Sequence, residues 1–570
     1  MYRRASLFCM LTVGALTAAQ PAAARVQRVQ KDPDRIANYC AENVGGAKCA
    51  PIATGDLNGD GKTDAVFLRI VTSAHIVNGN AFDRRLDILF GPFAAIDDRE
   101  TKADVSAVIS AGGELPSIAV ADFDGDGIDD LILAEAERAG ATEVQRVAIL
   151  RGGPTLTGDF FMGPANRGDY RLTREVSLPP ASRAEGSGGS AAGVGVSLRS
   201  RLSPRVADVD GDGKPDLLLA VDPASLPAAL RRSMLRRGMN LLAAESPSHV
   251  LVFLDAPELA GRSRTGLDLA PGDEDVRIEG LGACDASSLL GTGEVTADGQ
   301  TDIVVRRCPG GGVPDMLGLV PGRRDWPAGL TIDGAVTARP DVLPPGPEPT
   351  AAPGRPDPGV PGDPPRGYVA FSPVPKSLFD RPAAFFIQDV NQDGVDDLGF
   401  GFSDKTHVWI GGRDLAARVK ANRSNRVYLQ AGFGGTSLSG SWRVTDITGD
   451  DVPDLILTQR GGAQEATADR PVPAPIVLGG GQTDAAAPGA IAGGGSTVLT
   501  EPVKIYAGAR TTRNILNLAE DEPDAIWQDP ALDLWLIGDF NGDGKDDLMM
   551  GSPGQSATSA YQVYFGPFTN

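Results

Sequence analysis

Seven short stretches place oxygen-bearing side chains at alternate positions. Asp56, Asn58, Asp60 and Asp64 stand in DLNGDGKTD, Asp122, Asp124, Asp126 and Asp130 in DFDGDGIDD, and Asp208, Asp210, Asp212 and Asp216 in DVDGDGKPD. Asp389, Asn391, Asp393 and Asp397 follow in DVNQDGVDD, Asp446, Thr448, Asp450 and Asp454 in DITGDDVPD, and Asp539, Asn541, Asp543 and Asp547 in DFNGDGKDD. A weaker copy, EVTADGQTD, carries Glu294, Thr296, Asp298 and Asp302. The chemistry this pattern fits is capture of a hard cation. Ca²⁺ takes roughly six to eight oxygen ligands, and a tight loop offers side chains from positions 1, 3 and 5. Position 6 is glycine in all copies but one, where Asp451 stands; the chain turns sharply there and a Cβ is costly. Position 7 is Lys62, Ile128, Lys214, Gln300, Val395, Val452 and Lys545 in turn. That variety is what a backbone-carbonyl ligand predicts. Position 9, always Asp, is placed to close the shell.

The elements around the loops decide which calcium loop this is. An EF-hand needs a bidentate Glu at position 12 and flanking helices. Position 12 here is apolar (Phe67, Leu133, Leu219), and AVFL, LILA, LLLA, IVVR, LGFG, LILT and LMMG follow position 9. These short apolar runs, bounded by turn residues, predict strands. The loop therefore belongs in a β-hairpin. The copies begin 66, 86, 86, 95, 57 and 93 residues apart, which implies a repeated unit of about sixty residues with loop insertions.

Composition agrees. The 570 residues include 72 Gly and 44 Pro, as in an all-β chain with many turns. The formal charge of −21 argues against a nucleic-acid partner. Of the 74 acidic residues, 27 lie in the seven nonapeptides, so the acidity reads as metal sites. The N-terminus (MYRR, then ASLFCMLTVGALTAA, then PAAA) reads as a signal peptide over residues 1–24, with cleavage after Ala19 as the alternative. No second span of membrane length follows. The expected location is the periplasm, the cell surface or the medium. Cys40, Cys49, Cys284 and Cys308 remain after cleavage, and an even number in an exported chain favours disulfides. Local pairing would join Cys40 to Cys49, within the N-terminal segment 25–50, and Cys284 to Cys308, which bracket the weak repeat. A covalent staple there would offset poor metal binding.

These residues resemble the FG-GAP (or VCBS) repeat, the unit of the integrin α-chain N-terminal β-propeller and of many exported bacterial proteins. The second half of that pattern is present too: ILFGPF at 88–93, ILRGGP at 149–154, VWIGGR at 408–413, KIYAGAR at 504–510 and VYFGPF at 563–568. The resemblance implies an all-β, seven-bladed β-propeller over 51–570, interrupted by a Pro-rich insertion at 343–367 and a Gly/Ala-rich one at 461–496. It implies five to seven Ca²⁺ ions that stiffen the blade loops. It also implies a monomeric ligand-binding or adhesion module for an extracellular glycan or protein. The alternative is an exported polysaccharide lyase on the same scaffold, which would want a base beside a metal. Only three histidines exist, His75, His249 and His407, and they are scattered. Four further features remain as expectations. Trp326 and Trp527 are candidate sugar-stacking platforms. Residues 223–245 have near-helical apolar spacing with four arginines between, read chiefly as a helix lying over the propeller. Arg167-Gly168-Asp169 is read as accidental.

Overall fold

The computed structural model describes residues 27–29, 35–37, 48–77, 80–93, 103–109, 117–139, 142–162, 170–177, 200–223, 247–263, 267–284, 287–308, 316–332, 369–370, 385–401, 405–415, 426–429, 439–450, 452–460, 504–508, 515–517, 523–527, 533–551 and 561–568. The expected signal segment (1–24), the 223–245 segment (apart from residue 223), both low-complexity insertions and Arg167–Asp169 lie outside them.

Each apolar run after a loop is a strand, and each pairs antiparallel with the run before it, so every nonapeptide sits in a hairpin. Seven sheets result, two of four strands and five of five, each built on a four-stranded blade. Blade 1 is Lys48–Gly55, Asp64–Val77, Asn80–Leu89 and Val105–Ile109. Blade 2 is Ser117–Ala121, Asp130–Ala139, Thr142–Leu150 and Tyr170–Ser177. Blade 3 is Arg201–Ala207, Asp216–Asp222, His249–Phe253 and Val276–Glu279. Blade 4 is Leu289–Gly293, Asp302–Arg307, Met316–Val320 and Val369–Ala370. Blade 5 is Phe385–Gln388, Asp397–Gly401, Lys405–Trp409 and Arg426–Leu429, and blade 6 is Ser439–Thr445, Asp454–Arg460, Lys504–Tyr506 and Ala525–Trp527. Blade 7 takes Asp533–Gly538, Asp547–Gly551 and Tyr561–Tyr564 from one end of the chain and Arg35–Ala37 from the other. The arrangement is the seven-bladed propeller that the repeats imply.

The second strand of a blade is covered on both faces by its neighbours. Asp216–Asp222 is buried at every residue and Asp302–Arg307 at all but the last, which is why these runs read as continuously apolar rather than alternating. First strands neighbour one another around the axis. Seven apolar clusters fill the seven seams. Leu57, Leu86, Leu131 and Leu150 join blades 1 and 2; Leu172, Leu217 and Phe253 join 2 and 3; Val209, Ile278, Ile303 and Val320 join 3 and 4. Val304, Leu319, Leu398 and Trp409 join 4 and 5, and Val408, Leu455 and Tyr506 join 5 and 6. Ile456, Trp527, Met550 and Tyr564 join 6 and 7, and Phe67, Phe93, Phe540 and Met549 return from 7 to 1. Each fully buried Leu, Ile or Phe contributes about 1.5–3 kcal/mol.

Parallel strands lace the seams further. Between its third and fourth strands a blade sends a short strand back to the outer edge of its predecessor. Gly158–Met162 pairs with Val105–Ile109, Leu267–Leu269 with Tyr170–Ser177, Gly329–Thr331 with Val276–Glu279, and Ile515–Asn517 with Arg426–Leu429. Gln27–Val29 does the same on Ala525–Trp527 before the chain enters blade 7 as Arg35–Ala37. The N-terminal segment thus supplies both strands that the last blade lacks. One helix, Ala256–Ser263, is capped by Asp255, whose carboxylate accepts the Glu258 N–H at 3.0 Å.

Cys284 and Cys308 are bonded. The bond lies away from the weak repeat's loop. Cys308 follows Arg307, at the far end of the strand that begins at Asp302, and Cys284 sits in the linker from blade 3. It staples that linker to blade 4, beside backbone bonds from Cys308 to Leu281 and from Ser248 to Gly282. The Cys40–Cys49 pairing lies outside the described side chains.

Candidate metal centres

The loop is built the same way in every blade. The residue before position 1 and the Asp at position 9 form the last pair of the hairpin: Gly55 with Asp64, Ala121 with Asp130, Ala207 with Asp216, Gly293 with Asp302, Gln388 with Asp397, Thr445 with Asp454 and Gly538 with Asp547. Inside the loop the position-1 acid gathers backbone donors. Asp56 accepts the N–H groups of Gly59, Asp60 and Gly61 at 2.8–3.0 Å, and Asp122, Asp208 and Asp539 do the same in their loops. Asp389 accepts from Asp393 and Gly394, and Asp446 from Gly449 and Asp450. The position-3 amide of Asn58, Asn391 or Asn541 accepts from position 5. The position-5 acid in turn accepts the N–H of position 7: Lys62, Ile128, Lys214, Gln300, Val395, Val452 and Lys545. Position 7 thus meets the loop through its backbone.

Position 9 is a clamp as well as a potential ligand. One oxygen of Asp64 accepts the N–H groups of Leu57 and Asn58, and the other accepts that of Gly91 at 2.8 Å. The second bond recurs in all seven blades: Asp130 to Gly152, Asp216 to Asp255, Asp302 to Gly322, Asp397 to Gly411, Asp454 to Gly508 and Asp547 to Gly566. This explains the glycine ending the third strand. A Cβ at Gly91, Gly152, Gly322, Gly411 or Gly566 would fall 2.1–2.6 Å from the position-8 carbonyl oxygen. All seven position-9 carboxylates have no exposed surface. Burial pushes Asp64, Asp130, Asp216, Asp302 and Asp547 up to about 7 and Asp454 up to about 6, against the backbone bonds that pull them down.

Positions 4 and 8, which the sequence pattern did not single out, matter too, and the position-7 side chain has a part of its own. Position 4 is left-handed as well as position 6, with φ of 75° at Gly59 and 77° at Gly61, and in two loops a non-glycine holds it: Ala297 at 56° and Gln392 at 61°. In four seams the position-7 side chain covers the position-4 residue of the preceding blade. A Cβ at Gly59 would meet Ile128, at Gly211 Gln300, at Gly449 Lys545 and at Gly542 Lys62. Position 8 grips the preceding loop. Asp129 accepts the Asp56 N–H at 2.9 Å while its own N–H donates to the Asp56 carbonyl at 3.0 Å. Asp396 repeats both bonds on Glu294, and Asp546 accepts from the Thr445 hydroxyl. These loops are therefore held partly by their neighbours.

The donor set fits a hard cation. Asp122, Asp124 and Asp130 bring one oxygen each to within 4.8 Å of one another, and so do Asp208, Asp210 and Asp216. The other strong loops have Asn or Thr at position 3 and so present two acids there, with an amide or hydroxyl as third oxygen. In the weak loop, Glu294 Oε1 accepts the Asp298 N–H, but Oε2 is buried without a hydrogen-bond partner. A buried anionic oxygen is costly unless a cation meets it, so this loop fits a metal too. Its Thr296 hydroxyl donates to Asp302 at 3.2 Å, as Thr448 donates to Asp454 at 3.4 Å. Asp451 lies outside the described residues.

The candidate sugar platforms fare differently. Trp527 is 2% exposed and packs edge-on to Tyr564 and Phe568, so it is core and offers no stacking face. Trp326 is partly buried on the blade 3–4 cluster, donates Nε1–H to the Val209 carbonyl at 3.3 Å and carries Arg323 over its ring. His249 begins a strand whose other end leads to the clamped Asp255. Burial pushes its ring down to about 4, helped by Arg277. No described helix is long and apolar enough to cross a membrane.

A family model, the FG-GAP repeat, matches residues 116–150 and 536–565, which hold the loops at Asp122 and Asp539. No curated protein matches the chain. Among solved structures the chain is similar to the rhamnogalacturonan lyase of Bacillus licheniformis, at 12% identity and a TM-score of 0.36 over 93% of this chain and 75% of that one. It is similar to an exotype rhamnogalacturonan lyase at 10% identity and 0.37, over 95% and 75%. The V. cholerae biofilm matrix protein Bap1 follows at 11% and 0.23, over 90% and 76%.

Proposed function

We propose that this chain is an exported calcium-binding propeller that acts as a ligand-binding or adhesion module, a monomer with five to seven ions stiffening one end. The observation that carries this reading is the repeated loop: oxygen-bearing side chains at positions 1, 3, 5 and 9 of a backbone-bonded turn, with two sets of three carboxylate oxygens within 4.8 Å. The residues that would hold calcium are those of positions 1, 3, 5 and 9 together with the position-7 carbonyl. Bound calcium would supply charge that neutralises the clustered carboxylates.

The topology favours a ligand face at the opposite end. There the second strands end and the third strands begin, and the sequence between them ranges from residues 78–79 in blade 1 to 461–503 in blade 6. One end is uniform and the other varies blade by blade, as a module needs when a common scaffold presents a specific surface. An extracellular glycan or protein is the partner class we propose.

The test is binding of the chain from Arg25 onward to a panel of glycans and matrix proteins, in calcium and after chelation, with the melting temperature followed in both. Calcium-dependent binding to one ligand class is the expected result. Unchanged binding and unchanged melting after chelation would overturn the reading.

A further inference from the structure

The loop of blade 2 contains a cation of its own. Arg151 Nε lies 2.5 Å from Asp124 Oδ2, and its Nη2 lies 2.6 Å from Asp126 Oδ2. These carboxylates hold positions 3 and 5 of the loop, and Asp124 belongs to the cluster with Asp122 and Asp130. Arg151 is fixed from behind, because the next residue, Gly152, donates its N–H to Asp130 at position 9. The same clamp that shapes the loop therefore aims the guanidinium at it. The residue before the clamped position in the other blades is Phe90, Leu254, Pro321, Ile410, Ala507 and Phe565. None is basic. Blade 3 is the internal comparison: Asp208, Asp210 and Asp216 form the same three-acid cluster, and its loop lysine, Lys214, turns to Asp255 and reaches Asp212 only at 3.9 Å.

A guanidinium and a calcium ion both draw on the oxygens of Asp124 and Asp126, and each raises the cost of placing the other there. The guanidinium side chain is 43% exposed while Asp124 is 7% exposed. The cation is thus a removable cover over a buried carboxylate.

We infer that Arg151 is the internal counter-ion of the blade 2 loop, holding it in shape without metal and yielding only when calcium displaces it. This rests on the calcium reading above. Blade 2 is then a weaker site than blade 3, which carries the same three acids without the guanidinium.

The test compares the full chain with Arg151→Gln by equilibrium calcium binding and by melting in chelator and in calcium. The expected result is one site tightened by on the order of tenfold in Arg151→Gln, lost again in Arg151→Gln combined with Asp122→Asn. Its melting temperature should fall in chelator and recover in calcium. Equal affinities and equal melting in both conditions would overturn the inference while leaving the calcium reading intact, as would loss of an ion in Arg151→Gln, which would make Arg151 an aid to binding. A chain that binds no calcium, with or without Arg151, would overturn both.

Discussion

The N–H of Thr63 donates to the carbonyl oxygen of Asp539 at 3.2 Å, joining the first loop of the chain to the last. Phe93 donates to Phe540 beside it at 2.8 Å, and the two phenylalanine rings pack 5.3 Å apart. The seam between blades 7 and 1 is therefore built like the others: Asp129 to Asp56 and Gly153 to Leu57 make the same two bonds between blades 2 and 1. Such bonds link loop to loop across the seams 1–2, 4–5, 6–7 and 7–1, so a change in one of these loops reaches its neighbour.

The clamp is the first thing to break. Asp64→Asn would keep one acceptor but set an amide N–H against a backbone donor, so one or more of the N–H groups of Leu57, Asn58 and Gly91 lose their partner. We expect a loss of about 2–4 kcal/mol, read by chemical denaturation. A loss below about 0.5 kcal/mol would show that position 9 is not structural.

The buried clamps also set a pH dependence. Their folded values, about 7 in five blades and about 6 at Asp454, lie above the ordinary 3.8. The folded chain therefore holds more protons than the unfolded chain across that window. Without metal, stability should be greatest near pH 4 and fall as pH rises through about 7. With calcium the trend should weaken or reverse, because metal binding requires the ionised form. Melting curves in chelator from pH 4.5 to 8 that rise with pH would contradict this.

Ala297 and Gln392 occupy left-handed positions that glycine fills in the other loops described there. Ala297→Gly and Gln392→Gly should each stabilise by about 1 kcal/mol, visible as a higher denaturation midpoint. Destabilisation would mean that the side chain contributes more than the backbone costs.

Gly411 shows the reverse. A Cβ there would stand 2.3 Å from the Asp396 carbonyl and 2.5 Å from Val395. Gly411→Ala should cost more than about 2 kcal/mol and loosen the blade 4–5 seam first, where Asp396 grips Glu294. Hydrogen exchange of the Glu294 and Asp396 amides would register it, and unchanged protection would count against the shared grip.

Removing residues 25–37 should open an edge on Tyr561–Tyr564 and another on Ala525–Trp527, since Arg35–Ala37 and Gln27–Val29 cover them. Exposed edges invite association. We expect a lower melting temperature and oligomers by size-exclusion chromatography; a monomer of unchanged melting would show these strands to be dispensable.

The loops and their hairpins were legible because the nonapeptide keeps oxygen-bearing residues at positions 1, 3, 5 and 9 and a glycine at position 6 in all copies but one, and the apolar run after Asp64 or Asp216 fits a strand covered on both faces. The ring followed from repetition. Other features left no local mark. Leu267–Leu269 is three residues long, too short for any periodicity to show. The grip of Asp129 on Asp56 joins residues from different repeats, so no single repeat displays it. Trp527, in AIWQDP, looked like a surface aromatic because the polar residues after it are its own neighbours, while Tyr564 and Phe568, which bury it, arrive from the next blade.

The pairing of Arg35 with Val563 also fixes an order of events. A chain made from its N-terminus presents Arg35–Ala37 before any partner exists, and only after the third strand of blade 7 is delivered can that partner form. Until Tyr561–Tyr564 is made, the ring lacks the strand that Arg35–Ala37 pairs with. Closure of the ring joins Arg35 to Val563, the two ends of the described chain, a long-range contact of the kind that slows folding.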